Sequence, residues 1–118
     1  MSYGIRLADP VTSETIELPE RHALAGGTYA LGGTTEAWLN VTYNYATHFY
    51  RVLGEHGIRA IYGLTGQQSI PILEHAADQL GDDVVPDYWA VTEGNARRAL
   101  LDLVALARLA PHGVWAGD

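Results

Sequence analysis

Apolar and polar residues alternate over residues 3–8 (Y-G-I-R-L-A) and 14–18 (E-T-I-E-L), the period-two pattern of half-buried strands. The Asp9-Pro10 and Thr12-Ser13 pairs between them supply turn chemistry, so the pattern predicts an N-terminal hairpin. Residues 19–35 hold four of the thirteen glycines, Gly26-Gly27 and Gly32-Gly33, around a short apolar segment at 28–31. This reads as a loop or short edge strand between two glycine hinges. From Glu36 the alternation resumes as E-A-W-L-N-V-T-Y-N-Y. An extended chain over 36–45 places Ala37, Leu39, Val41 and Tyr43 on one face as a core row. The opposite face carries Glu36, Trp38, Asn40, Thr42 and Asn44.

Around Asn44 the period changes to that of a helix. Ala46, Phe49, Tyr50 and Leu53 recur at helical spacing, and Gly54 is a natural stop. Residues 58–62 are too few to classify. A second helix is expected to start near 65–69 and to end before Gly81, burying Ile72, Leu73, Ala76 and Leu80. Thr65-Gly66-Gln67-Gln68 fits a capping box, while Pro71, tolerated only in a first turn, predicts a start slightly later. An acidic loop, G-D-D-V-V-P-D over 81–87, leads to Tyr88 and Trp89. Thr92 is a good N-cap for the last helix, with Glu93 near its positive end. Apolar residues at 96, 99, 100, 103, 104 and 107 form its core stripe, widened by Leu101, Ala105 and Leu106. That width implies a central helix or one buried in a partner subunit. Pro111 and Gly113 end it. The expected architecture is α+β in one domain spanning 1–118, with a small antiparallel sheet from the N-terminal third packed against about three helices.

Composition narrows the function. A 47% hydrophobic content is ordinary for a globular chain. The formal charge of -7 argues against a nucleic acid polymer or an anionic membrane as partner. Without cysteine, disulfides and thiolate chemistry are excluded. No signal peptide or membrane-spanning run is visible, so a cytoplasmic protein is expected, and the apolar last helix suggests a homodimer. All seven cations are arginine. A codon bias toward GC-rich triplets accounts for this, and anion recognition by arginine forks is the alternative.

The candidate chemistry lies in three places. Trp38, Asn40, Thr42 and Asn44 put an indole, two amides and a hydroxyl on one strand face, although asparagine is disfavoured in strands. Such groups orient small ligands in pockets. A solvated edge strand, with Asn44 capping the next helix, explains them as well. At the strand–helix junction Tyr45 and His48 add a phenol and an imidazole, and His48 shares a helical face with Asn44. Tyr43, Tyr45 and Tyr50 otherwise read as core aromatics. The Tyr62-Gly63-Leu64-Thr65-Gly66 turn offers backbone N–H groups to an anion at a helix start, or simply makes a tight turn. It has no lysine and is not a P-loop. The last helix opens with Thr92, Glu93, Gly94, Asn95 and Arg97. Gly94 implies close approach of a backbone or a ligand, and Arg97 is the cation best placed for a phosphate or carboxylate. Arg98 pairs with Asp102 at i, i+4. The five histidines lack metal spacing, Asp82-Asp83 lacks the rest of a calcium loop, and no serine sits in G-x-S-x-G. No metal and no cofactor are expected.

The stretches G-G-T-Y-A-L-G-G-T-T-E-A-W-L-N-V-T-Y-N-Y, Y-G-L-T-G-Q-Q-S-I-P and Y-W-A-V-T-E-G-N-A-R-R-A-L together resemble a family of small proteins encoded by bacteriophages and prophages. The resemblance runs from Gly26 to Asp118 and implies action in the host cytoplasm, against host defence. With the polar residues above, the leading expectation is a protein that binds and sequesters a small polar or nucleotide-like immune signal without turnover. Its pocket would be walled by Trp38–Thr42 and Asn44, the 62–66 turn and the start of the last helix. Two alternatives stand beside it: a small hydrolase or transferase using His48 or Glu93 as acid/base, and an acidic inhibitor that binds a basic host protein.

Overall fold

The computed structural model describes residues 2–26, 32–87 and 89–118. Strand β1 (Ser2–Ala8) is central in a three-stranded antiparallel sheet, flanked by β4 (Trp38–Thr42) and β5 (Val114–Gly117). Tyr3 lies opposite Val41, Ile5 opposite Leu39 and Leu7 opposite Trp115. Directly opposed residues share a face, so this register gathers six buried side chains into one apolar surface. Strands β2 (Glu17–His22) and β3 (Thr34–Glu36) form a separate two-stranded sheet. Helices α1 (Ala46–Leu53), α2 (Gly66–Asp78) and α3 (Glu93–Leu109) complete an α+β fold. The stripe on α3 is buried as its spacing requires: Ala96, Ala99, Leu100, Leu103, Val104 and Ala107, with Leu106 beside them. Each large apolar side chain so buried stabilises the fold by roughly 1.5–3 kcal/mol.

The structure corrects five expectations. The expected hairpin forms only next to its turn, with Asp9 N–H on Glu14 O, Ile16 N–H on Leu7 O and a bridge between Ala8 and Thr15; beyond it the second strand runs over Glu17–His22 and pairs with β3, not with β1. The extended segment from Glu36 ends at Thr42, because its hydroxyl accepts the Asn44 N–H (3.2 Å) and caps a 3₁₀ turn at Tyr43–Tyr45. Helix α2 starts at Gly66 despite Pro71, since the capping box between Thr65 and Gln68 is complete. Pro71 therefore falls in the second turn, and the carbonyl it frees belongs to exposed Gln67, where water can reach it. Ile72 is exposed, and Ser69 and Ala77 join the buried face in its place. Finally, β5 returns after α3 to the edge of the sheet, where four residues were too few to show a period. Trp115 on it is buried, and its Nε1–H donates to Ser69 Oγ at 2.7 Å. The six-residue stripe of α3 packs against α2 and the rest of the core of the same chain, while Leu101 and Ala105, which widen it, are half-buried. The glycine-flanked segment at 28–31, with Gly27, lies outside the described residues.

Asp102, expected to pair with Arg98, holds the backbone at 25–26. Its Oδ2 accepts the Gly26 N–H at 3.1 Å, and the Ala25 N–H also reaches the carboxylate. Gly26 has φ +57°, and a Cβ there would fall 2.4 Å from the Asn40 carbonyl oxygen, so only glycine fits between the carboxylate and β4. Burial pushes the Asp102 carboxyl above its ordinary range, against the lowering effect of the two amides and Arg98. A carboxyl whose folded pKa is raised binds protons more readily folded than unfolded. Its stability contribution is full below the unfolded carboxylate pKa and is lost as pH rises through the folded one. Asp102→Ala leaves two amides without an acceptor and is expected to lower stability by about 1–3 kcal/mol at pH 7. Thermal melts should show the gap between wild type and variant widening from pH 7 toward pH 5; a narrowing gap would contradict the assignment.

Candidate functional site

The polar residues picked out at the start of α1 and the start of α3 converge on one object, the 81–91 loop between α2 and α3, of which 81–87 and 89–91 are described and Tyr88 lies outside the described residues. Leu80, buried, pins the chain where it leaves α2. The Gly81 N–H then donates to Glu93 Oε1 (2.9 Å), and the Val85 N–H to Asn95 Oδ1 (3.1 Å). Asn95 Nδ2 donates to the carbonyls of Asp87 (3.0 Å) and Ala90 (3.1 Å). From α3 the bracing is reciprocal: Asp83 Oδ1 accepts the Gly94 N–H at 2.8 Å. From the other side, Asn44 Nδ2 donates to the Trp89 carbonyl (2.9 Å) and His48 Nε2 to the Val91 carbonyl (3.1 Å). The spacing of four between Asn44 and His48 thus puts both on one side of the junction, clamping alternate loop residues. Thr92 caps α3 through the Asn95 N–H (3.1 Å). Asn95 is 1% exposed and satisfied at both ends of its amide.

Gly94 is explained by the same packing. A Cβ there would lie 2.4 Å from Val84 N and 2.5 Å from the backbone N and C of Asp83. The close approach is that of a backbone. Glu93 is held below the ordinary carboxylate range, first by the Gly81 N–H and then by Arg51, whose Nη2 stands 3.3 Å from Oε1. Its carboxylate is engaged in holding the loop. What the loop turns outward is different in kind. Val84 (47% exposed), Trp89 (44%) and Val91 (52%) are three of the seven large exposed apolar residues among those described; Asp82, Asp83 and Asp87 of the same loop are exposed as well, Asp83 with one oxygen held on the Gly94 N–H. None of these six entered the sequence-derived site. The signal was present: an acidic interhelical loop with apolar residues that no core stripe claimed.

The remaining candidates sit elsewhere, so the three walls do not enclose one pocket. Trp38 and Asn40 lie on the sheet face turned from the core, half-buried; the Trp38 indole covers Gly4, and Asn40 Oδ1 accepts the Ser2 hydroxyl at 3.2 Å. Thr42 and Tyr45 are buried, the first as a cap and the second in the core, with its ring edge-on to Phe49. Tyr62 packs beside Tyr3, Arg59 and Asp118. Burial, and then the Asp118 carboxylate, push its phenol up to about 12, and its O–H donates to the Asp118 backbone carbonyl at 3.3 Å. The amides at the start of α2 are spent internally: Gly63 N–H on Trp115 O, Gly66 N–H on Gly113 O, Gln67 N–H on Pro111 O and Gln68 N–H on Thr65 Oγ1. They donate to carbonyls and a hydroxyl of the same chain, as in a structural turn. Arg97 is half-buried in α3 and makes no hydrogen bond or ion pair among the described residues.

A cleft of about 140 Å³ does exist, between β2 and the end of α3, lined by Leu18, Pro19, Glu20, Arg21, His22 and Leu109. None of the expected site residues reaches it. Among the described residues no cluster of three or more histidine, aspartate or glutamate side chains could hold a metal ion, and no helix is long and apolar enough to cross a membrane. Comparison of the chain with protein-family models, with curated proteins and with solved structures found no match.

Proposed function

We propose that the chain is a binding protein without catalytic turnover, and that its recognition element is the braced loop 81–91. One observation carries this reading. Val84, Trp89 and Val91 stand exposed on a loop whose backbone is tied from beneath by Asn95, Asp83, Glu93, Asn44 and His48. A loop fixed before contact loses little conformational freedom on binding, and tryptophan is among the side chains that anchor protein interfaces. The side chains with acid–base capacity nearby, His48 and Glu93, are committed to the bracing. On the resemblance to phage-encoded proteins, the partner would be a host protein, occupied and thereby inhibited.

Trp89→Ala tests this directly. Truncating an interface anchor of this type removes about 2 kcal/mol or more of binding free energy, a loss of roughly thirtyfold in affinity. Affinity capture from a host lysate should recover a protein with the wild type and lose it with the variant, while circular dichroism shows both folded. Identical recovery with both chains refutes the assignment.

A second reading, sequestration of a small polar or nucleotide-like anion, is favoured by Arg97, a half-buried guanidinium with no internal partner among the described residues. Mass spectrometry of the heat-denatured protein purified from cells separates the two. An intact bound anion, absent from Arg97→Ala, supports the second reading, and a chemically altered compound would point instead to turnover.

A further inference from the structure

Resting on the reading of 81–91 as the recognition loop, we infer that its partner is a protein surface rich in arginine or lysine around an apolar slot that takes Trp89. The charges decide the partner's sign. Asp82, Asp83, Asp87 and Glu93 lie within or beside the loop, and Arg51 is already paired with Glu93. Asp83 and Asp87 each give one oxygen to an amide, Gly94 N–H and Trp89 N–H. The whole chain carries -7, so its field adds to the local one and repels acidic surfaces, nucleic acid included.

The apolar residues decide the rest. An apolar partner would cover Val84, Trp89 and Val91 but would strip water from the neighbouring carboxylates without pairing them, which is strongly unfavourable. A purely cationic partner would pair the carboxylates and leave Trp89 in water. A surface with an apolar centre and a cationic rim satisfies both, the common anatomy of protein interfaces. Arginine fits better than lysine, because a guanidinium pairs with a carboxylate through two bonds and also stacks on an indole face.

The test uses the intact, isotope-labelled chain and three synthetic peptides followed by amide chemical shifts. One peptide alternates arginine with leucine, one replaces the arginines by glutamate, and one replaces the leucines by serine. The first should shift amides within 82–91, and its affinity should fall at least about tenfold from low salt to near-molar salt. Asp82→Lys should weaken it by a similar factor. The other two peptides should bind far more weakly. Equal binding of the glutamate or the serine peptide, or shifts confined to other surfaces, would overturn the inference. The two readings fail separately. A cellular partner that depends on Trp89 but proves acidic or insensitive to salt leaves the recognition loop standing and removes this inference. Absence of any binding that depends on Trp89 removes both.

Discussion

Gly94→Ala should destabilise the protein, although the same change inside a helix ordinarily stabilises it. Alanine is favoured over glycine by about 1 kcal/mol in a helix interior. At Gly94 the added methyl would meet Val84 N at 2.4 Å and the Asp83 backbone N and C at 2.5 Å. Ordinary non-bonded contact begins near 3.5 Å, so the loop backbone would have to retreat by about 1 Å. None of those atoms is the end of a flexible side chain that can rotate away. Overpacking of this kind costs typically about 1–3 kcal/mol, and the retreat also stretches the bond from Gly94 N–H to Asp83 Oδ1, now 2.8 Å. We expect a net loss of about 2 kcal/mol in urea unfolding, with faster hydrogen exchange at Val85, whose N–H depends on Asn95. A variant as stable as the wild type would mean that the loop is not seated on α3 as described.

That glycine marks the boundary of what the chain discloses as a sequence. Its spacing announced that something approaches the start of α3, but not whether it was backbone or ligand, because the approaching residues, Asp83 and Val84, belong to a loop with no periodicity. Features built from neighbours in sequence were legible. Thr92 and the Thr65–Gln68 box cap the helices they were expected to cap, Gly54 closes α1, and the α3 stripe is buried residue for residue. Features built from distant pairs were not. β5 is recognisable only through its register with β1, and β2 follows β3 rather than β1. The polar row beginning at Trp38 is a strand face down to Thr42. Beyond that point the chain turns, and Asn44 serves the 81–91 loop and not the face it was grouped with. These side chains look like ligand groups in the sequence because their internal partners, carbonyls 5 to 45 residues away along the chain, cannot be seen from composition or period.

Asn95 gives the largest expected effect of any single substitution at this site. Its side chain holds three backbone groups of one loop, accepting from Val85 N–H and donating to the Asp87 and Ala90 carbonyls, at 3.0–3.1 Å. Asn95→Ala removes all three partners at a position 1% exposed to solvent. Each buried group left without a partner costs about 1–3 kcal/mol, but the loop can shift to admit water, so the sum is an upper bound. We expect a loss of about 3 kcal/mol, a substantial part of the stability of a domain this size. Asn95→Asp separates hydrogen bonding from packing, because it keeps the shape and the acceptor for Val85 while turning an oxygen toward the Asp87 and Ala90 carbonyls. If the amide donors matter, this near-isosteric change should be at least as damaging as alanine at neutral pH. Protonating the new carboxyl restores one donor, so stability measured by urea unfolding should partly recover as pH falls toward 4, against the wild type at the same pH. A mild Asn95→Asp, with stability independent of pH, would show that the loop is held by contact alone. The binding surface ought to follow the brace: with Val84, Trp89 and Val91 no longer fixed, a partner would have to order the loop itself, and affinity should fall even though no contacting residue has changed.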